Sequence, residues 1–257
     1  MHILICPDKF KASLTAQEAA EAIAAGILAK WKKSTIQIVP LADGGEGTLE
    51  MIQNMHGGAW LTHTVMDPLG RPVQAEYLWL ADQKTAYIEM ARCSGLQLLN
   101  TKERNPLKTN TFGTGELIQH AAKQGAKVIV LTIGGSATND AGIGMAAALG
   151  YTFLDANGNS LEPIGENLVH IDQINGENPF PEIEFIVLTD VDNPLHGPQG
   201  AAHVFAKQKG ANAISIKQLN KGLINISKWL PTDIPGAGAA GGLGAGAMHF
   251  LGAQLTS

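Results

Sequence analysis

Short apolar runs alternate along the chain with stretches whose apolar residues recur every three or four positions. Residues 2–6 (HILIC) form an apolar run ended by Pro7-Asp8, which predicts a buried strand and its exit loop, with Cys6 inert in the core. Thr15-x-x-Glu18 is a capping box, and Ala20, Ile23, Ala24, Ile27, Leu28 and Trp31 lay an apolar stripe on the helix it opens. A second strand is predicted at 36–39. Asp43-Gly-Gly-Glu-Gly47 follows it and leads into a helix over about 48–55. This β-α-β-α start predicts a parallel sheet with right-handed crossovers.

The pattern changes after Gly57-Gly58. Residues 73–80 and 85–90 are strand-like and flank a polar turn at 81–84, which predicts an antiparallel hairpin. The change places a boundary near residue 60, dividing the chain into 1–62 and 63–257. A helix at 115–124 precedes the apolar run 127–133, which ends in Gly134-Gly135-Ser136 before a helix at 140–149. Another buried strand, 183–188, ends in Thr189-Asp190-Val191-Asp192-Asn193-Pro194, and helices follow at about 199–208 and 216–229. Residues 236–246 hold six glycines and four alanines. No internal repeat is visible.

Composition narrows the function classes. Hydrophobic residues are 45% and charged residues 16% of the chain, which excludes a disordered, highly charged polymer. The net charge of −5 speaks against general nucleic-acid binding, which needs clustered Lys and Arg. Two cysteines make no disulfide framework and point to a reducing compartment. Residues 1–10 lack a signal-peptide core, and the apolar stretch 234–251 is broken by Pro235 and His249, so a cytoplasmic protein without membrane spans is expected. The 30 glycines exceed the usual share of about 7%, and they gather at the joints between elements.

Four joints carry candidate chemistry. Gly134-Gly135-Ser136-Ala-Thr-Asn139-Asp140 lies between a predicted strand and helix, where free amides attract anions; a tight turn with a helix cap has the same signature. The closing Gly-Lys-Ser/Thr of a Walker loop is missing. Asp190 and Asp192 end a buried strand, two residues apart, and suit a Mg²⁺ ligand or a base; a solvated Asp-Asn-Pro turn is the alternative. Asp43-Gly44-Gly45-Glu46-Gly47 offers acids to a metal or to hydroxyls, or simply caps a helix. Lys11, beside Asp8, is placed to neutralise a transferring phosphoryl group, or is solvated. The Gly/Ala segment, with Gly241 and Gly242, reads either as a phosphate nest or as a closely packed helix. No hydrolase elbow or histidine metal motif occurs.

Taken in order, PDKFKASLTA (7–16), ADGGEGT (42–48), TFGTGELI (111–118), GGSATNDAG (134–142), LTDVDNPLHGPQGAA (188–202) and GAGAAGGLGAG (236–246) resemble the bacterial two-domain glycerate kinases. The resemblance runs the length of the chain. It implies transfer of the γ-phosphoryl of ATP to D-glycerate with Mg²⁺, 2-phosphoglycerate being favoured over 3-phosphoglycerate. It implies an α/β three-layer, Rossmann- or flavodoxin-like domain, incomplete here, with a second α/β domain inserted after the first βαβα unit. Lys9 and Ala12 stand where the family pattern has serine and glycine, and residues 206–210 (AKQKG) stand where it has Gly-Pro-Gln-Lys-Gly.

The expected roles follow, with ATP and glycerate in the cleft between domains. Gly134, Gly135, Ser136 and Asn139 cradle phosphates; Asp190 is the base; Asp192 or Asp43 holds Mg²⁺; Lys11 neutralises charge. Asp8, Gly44, Gly45, Glu46, Asn193, Gly241 and Gly242 complete the substrate contacts. Two rivals differ in class. A dinucleotide oxidoreductase lacks its glycine fingerprint, because Pro7-Asp8-Lys9-Phe10 follows the first strand. A binding module without turnover is the other, because the family continues beyond the position of Ser257 with strands, helices and a glycine- and acid-rich segment. With only two strands, residues 1 to about 60 are expected to be the weaker part, cut first by proteases and prone to dimerise through a bare strand edge.

Overall fold

The computed structural model describes residues 1–8, 10, 13–39, 41, 45 and 47–256. The first unit is β1 (His2–Ile5), α1 (Ala16–Lys30), β2 (Thr35–Ile38) and α2 (Thr48–His56). β1 and β2 pair in parallel, with Ile5 opposite Ile38. The capping box forms as its spacing predicts: the Thr15 hydroxyl accepts from the Glu18 amide and the Glu18 carboxylate from the Thr15 amide. The core here is small. Ile5, Ala20 and Ala24 are buried, with Ile3, Ile27, Ile36 and Ile38 against them. The helical stripe is only half covered, since a two-stranded sheet offers α1 little surface; Ile23, Leu28 and Trp31 remain exposed. Cys6 is exposed just past β1, not a core residue, because the strand ends at Ile5.

The rest is built on one sheet of six strands. β3 (Ala59–Met66), β4 (Pro72–Leu80) and β5 (Thr85–Glu89) form an antiparallel meander. The short α3 (Ala91–Ser94), then α4 (Phe112–Lys123) and β6 (Val128–Thr132), follow. α5 (Ile143–Ala148), the small antiparallel pair β7 (Thr152–Leu154) and β8 (Gln173–Asn175), and β9 (Glu184–Leu188) come next. The chain then runs through α6 (Ala201–Phe205), α7 (Ala213–Ile226), α8 (Ala239–Leu251) and β10 (Gln254–Thr256). Sheet order is β10-β9-β6-β5-β4-β3, and β5, β6, β9 and β10 run parallel. The fold is therefore mixed α/β with a sheet dominated by parallel pairing.

The predicted hairpin is present. β3, which the sequence did not announce, pairs with β4 along its whole length. The position 62/63 falls inside β3, which begins just after Gly57 and Gly58, both in left-handed backbone. The buried strands read as continuous apolar runs because both faces are covered: Ile88, Ile129 and Val187 pack with Leu117, Ile118 and Met145. Among the described residues no helix is long and apolar enough to cross a membrane.

Candidate active site

Adjacent parallel strands bring their carboxyl ends to one edge, where ligands of α/β sheets gather. Thr132 of β6 lies opposite Leu188 of β9, and Glu89 of β5 opposite Thr132. Loops 133–140, 189–195 and 90–95 therefore leave the sheet side by side. The 134–137 turn is pinned from the β5 side: the Leu96 amide donates to the Gly135 carbonyl (3.0 Å) and the Ala137 amide to the Ser94 carbonyl (2.9 Å). Among the described residues, the amides of Gly134, Gly135 and Ser136 have no acceptor. Gly135 is exposed and in left-handed backbone, whereas residues 136–140 are buried.

The Gly/Ala segment packs between the other two loops. The Gly238 amide donates to the Asn193 carbonyl (2.8 Å) and the Ala141 amide to the Gly241 carbonyl (3.1 Å). A Cβ on Gly241 would stand 2.2 Å from the Thr138 carbonyl oxygen, so only glycine admits this approach. Gly241 and Gly242 are buried, packed closely against Thr138–Ala141 and Leu195. Ala141 and Ala240, both non-glycine, are held at φ 53° and 52° beside each other's loops. Strain of this kind persists only where surrounding packing enforces it, and it concentrates at functional sites.

Two buried charges hold the loop from within. Asp140, fully buried, accepts from the Thr111 amide (2.8 Å) and hydroxyl (2.7 Å), the Gly142 amide (3.2 Å) and the Gly144 amide (3.1 Å). Burial pushes its pKa up and these bonds pull it back only in part. It stands three residues before α5, whose N-cap is Gly142, and its bond to the Gly144 amide ties the loop to the first turn of that helix. Lys209, 2% exposed, donates to Ser136 Oγ (2.7 Å) and the Thr138 carbonyl (2.6 Å). Burial lowers its pKa to about 7, against the opposing field of Asp140. Beside them Thr138 Oγ1 and both amide atoms of Asn139 are buried with no partner among the described residues. Each such orphan costs about 1–3 kcal/mol, so this set suits a ligand or solvent that completes it.

Asp190 and Asp192 are exposed on the 189–195 loop and hold no partner among the described residues. Asn193 is a loop staple, its Nδ2 donating to the Gln199 carbonyl (2.8 Å). From the first unit, Asp8 follows β1 half-buried, and the Leu41 amide bonds the Pro7 carbonyl (2.9 Å). Thr48 joins the units: its hydroxyl donates to the Gly45 carbonyl (2.6 Å) and its amide to Glu89 Oε1 (3.3 Å). Glu89 is 2% exposed at the end of β5 and pairs with Arg92 (2.7 Å), which also bonds Glu50 of α2 and stacks over Trp60 at 4.8 Å. The latch thus sets Gly45 beside the sheet edge that carries the other loops. A cavity of about 250 Å³ lined by Thr62, Gln74, Ala75, Glu76 and Arg92 flanks it and includes no glycine-loop residue.

Lys11, Asp43, Gly44 and Glu46 lie outside the described residues. Among the described residues no group of three or more His, Cys, Asp or Glu side chains is arranged to hold a metal ion. Asp140, Lys209, Glu89 and Arg92 were missed in the sequence. Asp140 is visible as the last polar residue of the 134–140 motif, and Lys209 is the lysine that residues 206–210 share with the family's Gly-Pro-Gln-Lys-Gly; what carries no signal is its pairing, the partners lying 71 and 73 positions away.

A model of the glycerate kinase family matches residues 3–257. The glycerate kinase of Halalkalibacterium halodurans is 44% identical over 266 residues, covering 98% of this chain and 69% of the relative. The glycerate 2-kinase of Escherichia coli K12 is 43% identical over 267 residues, covering 100% of this chain and 70% of its own length. A crystal structure from Salmonella typhimurium LT2, provisionally named a glycerate kinase 2, superposes with a TM-score of 0.84 at 42% identity, over 100% of this chain and 71% of that one.

Proposed function

The chain belongs to the glycerate kinase family, and from that premise we propose that it transfers the γ-phosphoryl group of ATP to D-glycerate at the loops on the carboxyl edge of the sheet. The observation that carries the reading is the unpaired run of amides at Gly134, Gly135 and Ser136, backed by the partnerless amide of Asn139. Phosphoryl transfer asks for positioning and charge neutralisation more than covalent chemistry. Those amides receive phosphate oxygens without reorganising.

Asp190, exposed and unpaired, takes the proton of the glycerate hydroxyl as it attacks. The donor set of the 189–195 loop fits Mg²⁺, a hard ion held through one or two carboxylates together with substrate phosphates. Asp192 is its ligand from this loop, with Asp43 the alternative; when bound, the ion neutralises charge on the phosphates. Lys11 neutralises the transferred group or the glycerate carboxylate. Asp8, Gly44, Gly45 and Glu46 contact substrate from the first unit, and Asn193, Gly241 and Gly242 shape the loops from behind. The 2-hydroxyl is the acceptor, in keeping with the name of the Escherichia coli relative. The βαβα unit before Gly57-Gly58 is one wall of the cleft, part of a Rossmann-like domain into which the six-stranded unit is inserted.

The test is Asp190→Asn. Because the carboxylate has no structural partner among the described residues, stability should change by less than about 0.5 kcal/mol. Turnover should fall by about 10²-fold or more. Near-normal kcat would remove Asp190 as the base.

A further inference from the structure

We propose that Lys209 is a positioning residue for the phosphate loop: bonded to Ser136 Oγ and the Thr138 carbonyl, it holds residues 134–139 in the shape that leaves the amides of Gly134, Gly135 and Ser136 free for a phosphate. The inference rests on the reading of that loop given above. Lys209 belongs to a different segment, a single helical turn at Lys207–Lys209, and reaches the loop across the interior. Its own backbone is fixed. Its amide donates to the Ala206 carbonyl (3.1 Å), and Gly210 follows in left-handed backbone, where a Cβ would stand 2.1 Å from the Arg104 carbonyl oxygen.

Both bonds of the ammonium go to neutral acceptors, and the carboxylate that acts on it, Asp140, makes its own bonds to Thr111, Gly142 and Gly144. A buried ammonium without a contacting counter-charge costs stability. A side chain placed only to stabilise the fold would be better as a hydrocarbon here. What the ammonium supplies, and a hydrocarbon does not, is a fixed pair of donors behind the turn.

The experiment uses the 257-residue chain as wild type, Lys209→Met, Lys209→Gln, Ser136→Ala and the double variant Lys209→Met/Ser136→Ala. ATP affinity is read by titration calorimetry, and hydrogen exchange of residues 134–139 is followed with and without ATP. The expected result is slowed exchange at 134–139 in wild type and a fall in affinity of at least tenfold in Lys209→Met, with that protection lost. Lys209→Gln, which keeps an N–H donor, should recover part of the affinity, a rescue that a filler role would not give. Ser136→Ala should weaken binding, and the double variant should be no worse than Lys209→Met. ATP affinity within twofold of wild type in Lys209→Met, with protection of 134–139 intact, would overturn the role of Lys209 while leaving the loop reading in place. Absence of protection at 134–139 in ATP-bound wild type would overturn both. Should Lys209→Met fail to fold, unchanged affinity in Ser136→Ala overturns the proposal.

Discussion

Asp140→Ala tests whether the 134–140 loop is built from within. The carboxylate accepts four hydrogen bonds, three of them from backbone amides that are buried and have no other acceptor among the described residues. The Thr111 hydroxyl is the fourth donor and itself accepts from the Met145 amide (2.9 Å), so the change reaches the start of α5. Orphaning three buried amides costs about 1–3 kcal/mol each. Relief of a buried charge offsets part of this, which is why the net loss should be about 3–4 kcal/mol rather than the full sum. Asp140→Asn keeps one oxygen. With that oxygen at the Thr111 and Gly144 side, only the Gly142 amide faces a donor, and the expected cost is about 1–2 kcal/mol. Urea unfolding followed by circular dichroism gives both values. A loss below about 1 kcal/mol for alanine, or equal losses for alanine and asparagine, would refute the reasoning.

Lys209 gives a pH signature. Its pKa is about 7 in the fold against about 10.4 in an unfolded chain, so the unfolded state binds more protons between those values and stability should rise with pH above 7. Wild type should gain unfolding free energy relative to Lys209→Met as pH rises over 7–8.5, below the range where the buried Cys93 thiol, pushed up to about 11, acts in the opposite direction; a pH-independent difference contradicts the assignment. Arg92→Leu strands the buried Glu89 carboxylate and cuts the tie to Glu50, and should cost about 3 kcal/mol in urea unfolding. In limited proteolysis of that variant, cleavage within residues 1–58 should speed up while the six-stranded unit persists; uniform cleavage would show that the latch does not join the units.

The sequence made the local devices legible and left the long-range ones hidden. The capping box at Thr15, the hairpin through residues 81–84 and the glycine loop that follows β6 at 134–136 follow from residue type and spacing, and each is present. β3 stayed hidden because Trp60, Leu61, Thr62, His63 and Thr64 do not alternate cleanly; an edge strand is decided by its partner β4 more than by its own pattern. The Gly/Ala segment could not be resolved from composition, since a nest and a close approach both require glycine. The structure shows the close approach, Gly241 packing on Thr138. The site's interior was the least legible part. Asp140 reaches Thr111 across 29 positions and Lys209 reaches Ser136 across 73, and no spacing rule joins residues that only tertiary packing brings together.

The central claim is phosphoryl transfer from ATP to D-glycerate, and its most direct measurement is ADP release by the 257-residue chain with Mg²⁺, with and without D-glycerate. The account predicts ADP release that depends on D-glycerate and yields 2-phosphoglycerate, lost in Asp190→Asn. ADP release indifferent to D-glycerate, or none from a chain that binds both ligands, would contradict it.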